Sequence, residues 1–81
     1  MNLIFKNTNT EELKIYIEPS TDEILLKKGD VLMMRIKGEG IAPVEIDHRE
    51  DSLVLWIPRG QSADFFVNGK ELATICSQFI W

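Results

Sequence analysis

The sequence predicts an all-β fold, a small antiparallel β-sandwich or flattened barrel of about seven or eight strands, jelly-roll-like or immunoglobulin-like in outline. Turn signals recur every 8–12 residues or roughly so, short segments between them alternate apolar and polar side chains, and one pair, Asn68-Gly69, suits a two-residue hairpin loop. The signals fall at Asn7-Thr8-Asn9, Pro19-Ser20-Thr21-Asp22, Lys28-Gly29-Asp30, Gly38-Glu39-Gly40, Asp47 to Ser52, Pro58-Arg59-Gly60 and Asn68-Gly69. Pro58 presets φ for a turn that Gly60 closes, read as type I.

NLIFK is the expected first strand. In ELKIYIE, Leu13, Ile15 and Ile17 alternate with Lys14, Tyr16 and Glu18, which makes one face apolar and the other wet. Thr10 would cap a helix there, but Pro19 would end it within about two turns and the β-branched residues favour a pleat. EILLK, DVLMMRIK, PVEID, SLVLWI and ADFFV follow as strands, and KEL pairs back on FFV across Asn68-Gly69. Beyond it, Leu72, Ile75, Cys76, Phe79 and Ile80 have the spacing of one helix face. Two continuations stay open for this tail: more strand, or a single helical stretch whose stripe covers the core.

The 81 residues form one domain, 1–81, because so short a chain encloses a single core. With 44% hydrophobic and 27% charged residues, the composition is that of an ordinary globule. Thirteen acidic against nine basic residues leave a net charge of −4, spread along the chain. Nucleic-acid binders concentrate Lys and Arg on one face, so no nucleic-acid partner is expected. No run is long enough to span a bilayer and the opening MNLIFKN is too short for a signal-peptide core, so no membrane partner is expected either. The single Cys76 cannot form an internal disulfide, which favours a reducing interior and a cytoplasmic location.

Several stretches together resemble a group of short uncharacterised bacterial all-β proteins. They are Asn7 and Thr8, LKIYIEP (13–19), LLKKGDVL (25–32), LVLWI (53–57) and VNGKEL (67–72). Members of the group often carry Trp after the Glu-Pro pair, where this chain has Ser20, and tend to stop near the Asn-Gly hairpin. The tail ATICSQFIW is therefore an addition. The resemblance implies a compact β fold and a bacterial origin, and brings no activity with it.

The stretch IDHREDS holds the only histidine, His48, among Asp47, Glu50 and Asp51. One imidazole and three carboxylates suggest a divalent ion or proton exchange. Neighbouring side chains diverge in a tight bend, however, and a zinc site normally needs more His or Cys than the sequence holds. The bend between two strands is the preferred reading. Blue copper needs two His and a Cys thiolate, and only His48 and Cys76 exist. Met33-Met34 ahead of Lys37 lacks the turn frame of a biotinyl or lipoyl hairpin. Ser62 has no glycine elbow, Cys76 lies in an apolar run that would raise its pKa, and no phosphate loop is present. No catalytic residue, metal or cofactor is expected.

One pattern resists a purely structural account. If Leu32, Met34 and Ile36 face the core, alternation turns Val31, Met33 and Arg35 outward; if Leu53, Leu55 and Ile57 face it, Val54 and Trp56 turn outward. Phe66, between Phe65 and Val67, repeats the pattern. Either one of these strands is central between layers or covered by QFIW, or the surplus forms an exposed apolar patch. On the second reading Trp56, Val54, Met33 and Val31, joined by Tyr16, meet another protein. The expectation is a non-enzymatic protein–protein interaction module, self-associating as a homodimer. The alternatives are a carbohydrate or small-ligand binder, in which Trp56 and Tyr16 would line a groove, and an inhibitor of the toxin-immunity type.

Overall fold

The computed structural model describes residues 1–38 and 42–81, and the remainder of the predicted Gly38-Glu39-Gly40 turn lies outside them. Eight strands form: β1 (Asn2–Lys6), β2 (Glu12–Glu18), β3 (Asp22–Lys27), β4 (Val31–Gly38), β5 (Glu45–His48), β6 (Ser52–Trp56), β7 (Gln61–Val67) and β8 (Lys70–Leu72). They make two four-stranded sheets, sheet A in the order β1-β4-β7-β8 and sheet B in the order β3-β2-β6-β5. The all-β sandwich expectation holds. One pairing departs from the antiparallel pattern, because β2 and β6 run parallel, with Ile15 opposite Leu53 and Ile17 opposite Leu55.

Alternation decides which side chains the sheets enclose. Leu13, Ile15 and Ile17 of β2, Leu32 and Met34 of β4, and Leu53 and Leu55 of β6 are all buried, as their spacing predicts. Ile15, Ile17, Leu26 and Phe65 are fully enclosed and lie at the centre of this core. No helix among the described residues is long and apolar enough to cross a membrane.

The turns use the residues that were read as turn signals. Asn68 and Gly69 both have positive φ, at 52° and 83°, as a type I′ hairpin requires. Asn68 also docks the hairpin: its Oδ1 accepts the Val31 N–H at 3.0 Å and its Nδ2 donates to Asp30 at 3.0 Å. At Pro58 the turn differs from the type I expectation. The Gln61 N–H donates to the Pro58 carbonyl at 3.1 Å, which puts Gly60 at the third turn position with φ 83°. Positive φ there belongs to type II. Buried Asn7 ties the β1–β2 loop to β3, its Nδ2 donating to the carbonyls of Thr10 and Leu26, each at 3.0 Å.

After β8 the tail makes a single 3₁₀ turn, Cys76–Gln78, so the helical periodicity yields only one short turn. Its contacts explain why. Asp22, at the start of β3, accepts the backbone N–H groups of Ile75 at 2.9 Å and Cys76 at 2.8 Å, while Trp81 exchanges backbone hydrogen bonds with Gly60 and Gln61 at 2.9 Å. These fixed points leave no length for a longer helix. Cys76 is drawn wholly inside, and burial pushes its thiol above the ordinary value. The Trp81 ring packs against the core, while Phe79 and Ile80 stay exposed, so QFIW does not cover β4 or β6.

On the outer face of sheet A, Asp64 is almost wholly shielded between Arg35, at 2.7 Å, and Lys37, at 2.9 Å. Burial alone would raise the Asp64 carboxyl, but its bonds to Lys37 and Arg35 outweigh that and hold it below the ordinary value.

Two substitutions test this packing. A Cβ at Gly38, where φ is 110°, would sit 2.5 Å from the Gly60 carbonyl oxygen, so Gly38→Ala should lower unfolding stability by about 1–3 kcal/mol in urea titration. A depressed native pKa makes Asp64 stabilising above its unfolded value, with that contribution lost as pH falls through the native one. The stability advantage of wild type over Asp64→Asn should therefore shrink as acid is added below about pH 3.9 and be unchanged between pH 5 and 7 or so.

Candidate functional site

The five residues expected to form one patch lie on two different surfaces. Tyr16, Val54 and Trp56 point outward from sheet B, whereas Val31 and Met33 point outward from sheet A, on the far side of the core. Alternation along a strand was read correctly, but which sheet each strand joins depends on pairing between distant segments.

On sheet B the register sets Tyr16 beside Val54, and Val54 beside Asp47. Trp56 stands between Glu18 and Glu45 and is 41% exposed. Its indole Nε1 donates to Asp47 at 3.0 Å, so the ring leans diagonally toward the carboxylate beside Val54. Val54 is buried, although it was expected to be exposed, because larger neighbours stand around it. Hydrogen bonding to Asp47, then the repulsion of its charge, pushes the Glu45 carboxyl above its ordinary value. The indole therefore sits among carboxylates on a sheet face, not in an apolar patch. Neither of the two clefts described below is lined by Trp56 or Tyr16.

On sheet A, Ile4, Met33, Phe66 and Glu71 form one outward row across four strands. The Arg35 guanidinium stacks over the Phe66 ring at 5.3 Å from its centroid, and Val31 and Met33 are half-buried beside it.

The distinctive surface is the flank where β1, the edge of sheet A, overhangs β5, the edge of sheet B. Leu3 and Phe5 point inward, opposite Met34 and Leu32 in register, yet they remain 36% and 38% exposed. Across the gap Ile46 is 50% exposed. Between them opens an apolar cleft of about 130 Å³ floored by Leu32, Met34, Leu53 and Leu55. A wider depression of about 440 Å³ adjoins it, bordered by Asn7 to Thr10, His48 and Glu50, and the two share Phe5, Ile46 and Leu53. The predicted bend is present: the Arg49 N–H donates to the Ser52 carbonyl at 2.8 Å, and His48 sits exposed at the mouth of this depression. Among the described residues no three His, Cys, Asp or Glu side chains converge on a metal position.

Among the described residues, no strand pairs with the outer edge of either strand lining the flank. The Met1 carbonyl accepts from Ile36 and the Asn7 N–H donates to Asp30, so odd-numbered residues of β1 bond to β4. Asn2, Ile4 and Lys6 therefore turn their N–H and C=O groups to solvent. By the same alternation, starting from the Arg49–Ser52 bond, Ile46 and His48 do so on β5. Sequence reading assigned NLIFK to a strand without marking it as a site. The signal was nonetheless there, since three successive apolar residues make a strand apolar on both faces, the same reasoning that drew attention to β4 and β6.

No protein-family model, curated protein or solved structure matches the chain.

The open edge has a direct readout. By NMR hydrogen exchange, the amides of Asn2, Ile4 and Lys6 in the monomeric chain should exchange fast, while those of Leu3 and Phe5, bonded to β4, are protected; uniform protection along β1 would contradict the assignment.

Proposed function

We propose that this chain is a non-enzymatic protein–protein interaction module whose docking surface is the open flank between β1 and β5. One observation carries the reading: Leu3, Phe5 and Ile46, which face the interior, are left a third to a half exposed. An extended segment added alongside β1 would cover them and bond to the free backbone groups of Asn2, Ile4 and Lys6, the mode of recognition called β-augmentation. Covering the exposed parts of those three side chains contributes about 2–4 kcal/mol before hydrogen bonds are counted.

The strand is only lightly defended. Edge strands usually carry Pro, a bulge, Lys or inward-pointing charge that discourages pairing, and of these β1 has only Lys6, its last residue. An exposed apolar edge of this kind is kept where it has a partner. A reduced, buried Cys76 suits a reducing compartment and supports a cytoplasmic location. An inhibitor of the toxin-immunity type would be one form of such a module, distinguished by its partner.

Fluorescence anisotropy of a labelled, capped hexapeptide of alternating Val and Thr tests the flank. Wild-type protein diluted until it sediments as a monomer should raise the anisotropy, Phe5→Glu should abolish the rise and Trp56→Ala should leave it intact. Loss in Trp56→Ala, equal binding by Phe5→Glu, or no binding by a chain that sediments as a monomer would each overturn the reading.

A further inference from the structure

Taking that docking surface as its premise, we propose that the segment received by β1 is β1 of a second copy of this chain, paired antiparallel about a two-fold axis at Ile4. The register follows from which backbone groups are free. Asn2, Ile4 and Lys6 turn outward, so an antiparallel pairing with Ile4 opposite the second copy's Ile4 sets Asn2 against the second copy's Lys6 and Lys6 against its Asn2. Every outward N–H and C=O of β1 is then bonded. Sliding the strands by one residue pair in either direction leaves some of those groups unpaired, so this register is the most favourable.

Side chains agree with it. The only charged side chain of β1, Lys6, meets the neutral Asn2 of the second copy, so no like charges face each other although each chain carries −4. Ile4, 72% exposed and the most open apolar residue of the strand, pairs with itself at the axis. It also continues an apolar row: Ile4, Met33 and Phe66 already lie side by side on sheet A, and the pairing joins that row to its equivalent.

The axis stands perpendicular to the sheet, so both copies keep sheet B on the same side. Two four-stranded A sheets fuse edge to edge, and the two clefts open toward each other beneath the join. Leu3 of one copy comes opposite Phe5 of the other, which covers the inward residues that each monomer leaves exposed. The interface is isologous and therefore closes as a dimer, whereas pairing β1 with a second copy's β5 would be head-to-tail and leave one free edge on each copy for a ring or filament to consume.

Sedimentation velocity and directed cross-linking test the register. Wild type should sediment as a dimer at micromolar concentration. Ile4→Pro removes an N–H that sheet A does not use, so the fold should keep its melting temperature while association weakens by about tenfold or more. Under mild oxidation Ile4→Cys should form a disulfide dimer, because directly opposed residues in a hydrogen-bonded pair lie about 5.5 Å apart at Cα. Lys6→Cys alone should not, but a mixture of Asn2→Cys and Lys6→Cys chains should. Buried Cys76 is out of reach, and oxidised wild type is the control. A wild-type monomer, a dimer that survives Ile4→Pro, or Lys6→Cys cross-linking to itself as readily as Ile4→Cys would overturn the self-pairing. The first of these leaves the wider docking role to the hexapeptide, which then binds a free edge.

Discussion

Asp22 fastens one side of the sandwich and thereby determines where the other side opens. Two stacked sheets share no backbone hydrogen bonds, so only apolar contact and the chain's own connections hold them face to face. Asp22 belongs to sheet B, yet it accepts the amides of Ile75 and Cys76, and a few residues later Trp81 is bonded to β7 in sheet A. That bridge shuts the β3 and β8 side and encloses Cys76 and Phe65 completely. Among the described residues no equivalent strap links β1 to β5. The same kind of residue, inward and apolar, is thus sealed at one end of the core and left wet at the other.

Much of this was legible in the sequence, because the side-chain period of a strand is independent of its neighbours. Ile15, Ile17, Met34 and Leu55 could be assigned to the interior from spacing alone, and Asn68-Gly69 to a hairpin from the φ values those residues tolerate. What spacing does not contain is partnership. Val31 and Trp56 look equivalent along the chain, and they end on opposite sides of the molecule because β4 pairs with β1 and β7 while β6 pairs with β2 and β5. Val54 was misjudged for a related reason: the bulk that surrounds it comes from Tyr16 and Asp47 on other strands and from the lean of Trp56 toward Asp47.

Pairing also rearranges charge. Along the chain the acidic residues are scattered, but folding brings Glu18, Glu45 and Asp47 around the indole on sheet B, while Arg35 and Lys37 gather over Asp64 on sheet A. The two outer faces therefore differ in character, one acidic with an exposed aromatic, the other cationic and apolar. A partner approaching the β1 edge meets the second kind of surface.

The parallel pairing of β2 with β6 bears on how the molecule forms. Three neighbouring pairs, β2 with β3, β5 with β6 and β7 with β8, are joined by short turns and can zip locally on the microsecond scale. β2 and β6 meet only after the chain has travelled through β3, β4 and β5, so no local turn helps them find each other. Sheet B is thus two local hairpins joined by one non-local seam, the pairing in that sheet that costs the most loop-closure entropy.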